Sequence, residues 1–169
     1  DQRPTDIGHN EILLFAPFKN EAARLPWFLN YYRRLGVDRF FLVDNASTDE
    51  SKEFLLKQPD VHLFWTDDCF AEAQSGMRWV NHLIDTYGMN NWCMYVDIDE
   101  ALVFPEMEQF NLRYLVRYME RNGYELMPAF MADMHPKCLD DITGYRPGED
   151  PLEYSPYFDK DYTFVGLPE

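Results

Sequence analysis

Four short apolar runs constrain what this chain can fold into. They are Glu11–Pro17, Arg39–Val43, Val61–Trp65 and Trp92–Val96, rich in leucine, β-branched and aromatic residues. Between them apolar residues recur at helical spacing: Leu25, Phe28, Leu29, Tyr32 and Leu35 after the first run, then Ala73, Met77, Val80, Ile84 and Tyr87 after the third. Gly36 and Gly88 mark the ends of those two helices. Asn20 is the predicted N-cap of the first, and Ser47-Thr-Asp-Glu50 reads as a capping box opening a second. Strands alternating with helices predict a parallel sheet built from right-handed crossovers, an α/β class of protein.

Beyond Pro105 the pattern continues less regularly. Leu112, Leu115, Val116 and Met119 predict a further helix capped by Asn111. Tyr124-Glu-Leu-Met-Pro-Ala-Phe-Met131 predicts another strand, and Pro128 restricts it to an edge or a bulge. From Lys137 onward Pro, Gly, Asp and Tyr dominate, which predicts loops with at most one short hairpin.

The fourth run carries the strongest chemical signal. Trp92-Cys-Met-Tyr-Val-Asp-Ile-Asp-Glu100 reads as a buried strand that passes directly into Asp97, Asp99 and Glu100. In open α/β sheets ligands bind beyond the carboxyl ends of the strands. Two carboxylates at i and i+2 in that position suit a hard divalent cation, which prefers oxygen ligands and leaves sites open for substrate phosphates. The first run exits through Lys19, Asn20 and Glu21, and the second through Asp44 and Asn45. Together these predict an acidic, polar pocket for a ligand with hydroxyl and amide groups and a metal-bound phosphate.

Charge and cysteine content narrow the partners. The 169 residues hold 30 acids and 15 bases, a formal net charge of -15. That field disfavours nucleic acid and anionic lipid as partners. Three widely separated cysteines, Cys69, Cys93 and Cys138, suggest neither a disulfide framework nor a zinc site and fit a reducing, cytoplasmic setting. No apolar run has membrane-spanning length, and residues 1–10 lack the order of a secretory signal. The length fits one domain over 1–169, and the non-Met start suggests a processed or excised piece.

Lys19-Asn-Glu21, Val43-Asp-Asn-Ala-Ser-Thr-Asp49 and Val96-Asp-Ile-Asp-Glu100, each after an apolar run and in this order, resemble the nucleotide-sugar glycosyltransferases of the GT-A fold, in particular the family 2-like group. The resemblance covers roughly residues 11 to 135 and implies that the acceptor-side segment after Phe164 is short or missing, as in a piece truncated at its C-terminus. It implies a Rossmann-like, mostly parallel sheet flanked by helices, a sugar donor activated as a nucleotide diphosphate, and a glycan or other hydroxyl acceptor. It implies that Asp44 binds the base with Asn20 and Glu21 in the same pocket, that Asp97 reaches ribose or metal, and that Asp99 ligates Mg²⁺ or Mn²⁺. Inverting transfer also needs a carboxylate base. Asp133, Asp140 and Asp141 are the candidates.

Other readings of individual residues stay open. Arg78 reaches a phosphate or is a solvated helix residue. His135 is a metal ligand or structural. Tyr145, Tyr154, Tyr157 and Tyr162 stack on a sugar or pack a loop. Trp65, Trp79 and Trp92 are expected in the core. Two other functions compete: a non-catalytic sugar- or nucleotide-binding module, and a phosphohydrolase of the haloacid-dehalogenase type, in which Asp-x-Asp follows the first strand rather than the fourth. The Gly-rich phosphate loop that a sugar nucleotidyltransferase would carry after the first strand is absent.

Overall fold

The computed structural model describes residues 7–138 and 144–159. Its elements run β1 (Ile12–Phe18), α1 (Leu25–Leu35), β2 (Arg39–Asn45), α2 (Ser51–Leu55), β3 (Val61–Thr66), α3 (Met77–Tyr87), β4 (Trp92–Tyr95), α4 (Leu112–Arg121), β5 (Met134–His135), α5 (Pro151–Tyr154) and β6 (Tyr157–Phe158). β1 to β4 form one parallel sheet in the order β3-β2-β1-β4. The protein is α/β with a Rossmann-like arrangement of sheet and helices.

Alternate residues of each strand face opposite layers, which sorts the core into two parts. Ile12, Leu14, Ala16, Phe40, Leu42, Val61 and Leu63 pack with α1 and α4. Leu13, Phe15, Phe41 and Val43 pack with Val80 and Leu83 of α3. β1 is covered on both faces and every one of its residues is buried. Leu13, Leu14 and Phe15 are fully buried, and each such side chain contributes roughly 1.5–3 kcal/mol. The predicted apolar stripe of α1 is buried throughout. Gly36 ends that helix at φ 105°, donating to the carbonyls of Arg33 and Tyr32, a left-handed cap that glycine adopts without a Cβ clash. Asn111 caps α4 as predicted, accepting from the Tyr114 N–H.

Several predictions fail. β4 is not a buried strand: it is the sheet's outer strand among the described residues, with Trp92, Cys93 and Met94 half-buried and Tyr95 exposed. The predicted strand over 124–131 does not form, and those residues are exposed and irregular. Pro128 has no N–H for a ladder and also restricts Met127, so this segment cannot extend the sheet as a regular strand. Trp65 is exposed rather than in the core, because β3 forms the opposite edge. Trp79 and Trp92 are half-buried, each against one of the two core parts. The short hairpin expected after Lys137 does not form among the described residues; instead β5, which precedes Lys137, pairs antiparallel with β6 beyond α5.

The two predicted helix caps are also corrected. α1 has Arg24 and α2 has Glu50 at the N-cap, neither with a capping side chain. Asn20 and Ser47 instead hold the loops to each other. The Asn20 N–H donates to Ser47 Oγ (2.9 Å), Glu21 N–H to Ser51 Oγ (3.1 Å), and Ala22 N–H to Asp49 Oδ2 (3.0 Å). In return, Thr48 N–H donates to Asn20 Oδ1 at 2.7 Å. The caps are exchanged across the two strand exits, because parallel neighbours bring both exits to the same edge. Burial alone would raise the Asp49 carboxyl, but the Ser51 and Ala22 hydrogen bonds outweigh it and hold Asp49 below the usual carboxylate range.

Candidate functional site

The carboxyl ends of all four parallel strands meet in one cleft of about 520 Å³. Pro17, Phe18, Lys19 and Glu21 come from the β1 exit, Asn45 and Ala46 from β2, Asp67 to Phe70 from β3, and Asp97 to Asp99 from β4. The register makes this possible. Phe18 pairs with Asp44 and Asn45 with Thr66, so β1, β2 and β3 end nearly level, while β4 ends opposite Phe15 and the residues after it, Asp97 to Asp99, carry on to the same edge. Among the lining residues one lysine faces five carboxylates, those of Glu21, Asp67, Asp68, Asp97 and Asp99. A free phosphate is repelled by such a lining, whereas a ligand carrying a cation is not.

Lys19, Glu21, Asn45, Asp97 and Asp99 therefore come together as predicted. Asn45 is held by its own contacts, donating from Nδ2 to the Asp68 carbonyl at 3.0 Å, which joins the β2 and β3 exits. Glu21 is paired with Arg24 at 2.8 Å. That hydrogen bond, with the Asp99 charge nearby, holds the Arg24 guanidinium above its ordinary range despite partial burial.

Other predicted residues stand elsewhere. Asp44 is buried, its Oδ1 accepts from the Ser47 N–H at 2.8 Å, and it is not part of the cleft lining. Its carboxylate shapes the turn that presents Asn45 and Ala46. Asn20 is engaged with Thr48. Arg78 is exposed in the first turn of α3 and does not line the cleft. Asp133 lies on the exposed segment outside it, and Asp140, Asp141 and Tyr162 fall outside the described residues. His135 is on β5, with Nδ1 against the Pro136 carbonyl. Tyr145 and Tyr154 pack edge to face at 5.5 Å, a loop-packing role.

Two parts of the site escaped the sequence reading. One is the β3 exit, where Thr66-Asp67-Asp68 repeats the strand-into-acid pattern of β4, and where the exposed ring of Phe70 forms an apolar wall. The other is Tyr95, whose hydroxyl donates to Asp97 Oδ1 at 2.8 Å. Burial, the Asp97 hydrogen bond and the Asp97 and Glu100 charges push its phenol above the ordinary range, so the hydroxyl stays protonated near neutral pH.

The loop bearing Asp97 and Asp99 is anchored from α1. The Tyr32 hydroxyl, fully buried, donates to the Glu100 carbonyl at 3.1 Å and accepts from the Leu102 N–H at 3.0 Å. Tyr31 donates to the Leu102 carbonyl at 2.8 Å. Replacing Tyr32 by Phe keeps the ring and leaves those backbone groups unpaired. We expect a loss of about 1–3 kcal/mol, read as a lower Tm, together with faster hydrogen exchange over residues 97–102. An unchanged Tm with unchanged exchange would show that the hydroxyl does not hold this loop.

The donors at the β4 exit are all oxygens, which suits Mg²⁺ or Mn²⁺. Among the described residues no group of three or more His, Cys, Asp or Glu side chains forms a metal-holding cluster. A cation shared between one or two carboxylates and ligand phosphates needs no such cage. The three cysteines are free, and burial pushes the Cys93 thiol up to about 11. Among the described residues no helix is long and apolar enough to cross a membrane.

No family model matches this chain, and no curated protein matches it either. Among solved structures, the crystal structure of 4-diphosphocytidyl-2C-methyl-D-erythritol synthase matches with a TM-score of 0.46 at 16% identity, covering 76% of this chain. The chain spans 64% of the length of that protein.

Proposed function

We propose that this chain is a GT-A-type nucleotide-sugar-binding core of a glycosyltransferase, family 2-like, that moves a sugar from a nucleotide-diphosphate donor to a glycan or other hydroxyl acceptor with inversion. The observation that carries the reading is the joining of Lys19, Asn45, Asp97 and Asp99 in one cleft at the carboxyl ends of four parallel strands. That is where open α/β sheets bind nucleotides, and these are the positions of the glycosyltransferase-like motifs.

Asp97 and Asp99 would hold Mg²⁺ or Mn²⁺, which would neutralise the charge growing on the departing diphosphate. Lys19, the one cation in the lining among the described residues, offers an ammonium to the same anion. Asn45, its Nδ2 committed to the β3 exit, offers its Oδ1 acceptor, and Phe70 offers a ring face against which a base or sugar can lie. Asp44, buried beneath Asn45, supports nucleotide recognition through the turn it braces. The base for the acceptor hydroxyl is proposed among Asp133, Asp140 and Asp141.

A thermal-shift series tests this reading. With UDP- or GDP-sugar at about a hundred times its dissociation constant, stabilisation is about 2.7 kcal/mol. At about 2–4 °C per kcal/mol for a chain of this size, Tm rises by roughly 5–10 °C. We expect that rise with Mn²⁺ or Mg²⁺ present and little of it in chelator. No shift for any nucleotide sugar at millimolar concentration with either metal would overturn the proposal. Binding with neither transfer to any acceptor nor hydrolysis of the donor would favour the non-catalytic module, and turnover of any donor would exclude it.

A further inference from the structure

The carboxylate pair at the β4 exit has an orienting partner that no motif announces. Tyr95 is the last residue of β4 and Asp97 opens the turn two residues on, and their side chains meet. The Tyr95 hydroxyl donates to Asp97 Oδ1 at 2.8 Å. On the backbone, the Asp97 N–H donates to Glu100 Oε2 at 3.0 Å and the Glu100 N–H returns a bond to the Asp97 carbonyl at 3.1 Å. Tyr32 then fixes the Glu100 carbonyl from the buried face of α1. The Asp97 main chain is thus set by its turn, and its carboxylate by one phenol.

We propose that Tyr95 is a positioning residue of the site: its hydroxyl fixes the rotation of the Asp97 carboxylate so that this group meets a divalent cation already oriented. This rests on the cation-binding reading of Asp97 and Asp99 given above. An oriented ligand loses less conformational entropy when the ion arrives, and a hydrogen bond to one oxygen fixes which carboxylate lone pairs face the ion. Tyr95 is 40% exposed at the sheet edge, so packing alone does not require a hydroxyl there. Phenylalanine would keep the ring and remove only the bond to Asp97.

The test uses the full chain and Mn²⁺, first alone and then with UDP or GDP, with free Mn²⁺ read by electron paramagnetic resonance. Tyr95→Phe is expected to weaken Mn²⁺ binding by about 10–100-fold, with the Tm of the ligand-free chain held within a degree or two. In an Asp97→Ala background the same substitution is expected to change Mn²⁺ affinity no further, because the group it orients is gone. Wild-type affinity in Tyr95→Phe would overturn the positioning role while leaving the cation site standing. An equal loss in the Asp97→Ala background would also overturn it, since the effect would not pass through Asp97. A wild-type chain that holds no Mn²⁺ under any of these conditions would remove the cation reading and this inference together.

Discussion

Replacing Asp97 and Asp99 together by alanine is expected to abolish the Mn²⁺-dependent part of nucleotide-sugar stabilisation. The fold should survive, because Asp97 is half-exposed and Asp99 exposed in a turn whose backbone bonds do not depend on the Asp99 side chain. Surface changes of this kind usually stay within about 0.5 kcal/mol. The consequence for the ligand is expected to be far larger. Loss of an outer partner costs about 10–100-fold in metal affinity, and this change removes both of the carboxylates proposed to hold the ion. The five-carboxylate lining becomes less negative at the same time, so binding of a metal-free nucleotide should improve slightly. Isothermal titration with UDP and GDP, with and without Mn²⁺, separates the two effects. A double variant whose Mn²⁺-dependent shift equals that of the wild type would place the cation elsewhere.

Gly76→Ala is expected to cost stability and to distort the cleft in one step. Gly76 precedes α3 at φ 83°, a region that L residues rarely adopt. A Cβ there would stand 2.9 Å from Pro17 Cβ and Cγ and 3.1 Å from Phe70 Cε2. Pro17 is backbone-paired inside the buried sheet and cannot retreat; Phe70 can, but its movement changes the cleft wall. Left-handed backbone costs roughly 1–2 kcal/mol and overpacking typically about 1–3 kcal/mol, so the loss is about 2–5 kcal/mol. Chemical denaturation should show a lower midpoint with an unchanged slope, and nucleotide affinity should fall with it. A variant of wild-type stability would mean that the start of α3 can shift away from β1 without penalty.

The positions of the elements were largely legible from local signals. β1, α1, β2, β3 and α3 follow apolar runs whose period reports which faces are buried, and Gly36 and Asn111 act at helix ends through backbone geometry that depends on near neighbours alone. The Asp-x-Asp stretch was equally visible, since a strand passing into acids identifies its carboxyl end. Asn20 and Ser47 were misread for a definite reason. Both carry good capping side chains, and local rules assign such residues to their own helices. In the fold they satisfy each other's loops, across 27 residues of sequence in the case of Asn20 N–H and Ser47 Oγ.

Amino-acid order by itself determined the α/β class, the direction of the sheet and the acidic character of its carboxyl edge. These follow from periodicity and composition, which act over a few residues at a time. Tertiary structure alone decided that β4 is the outer strand of the sheet among the described residues, that Asp44 is buried while Asp67, Asp68 and Phe70 line the cleft, and that Tyr32 braces the Asp97 loop from α1. Those outcomes depend on strand order and register, which bring distant segments within hydrogen-bonding reach and leave no mark in any local stretch of the chain.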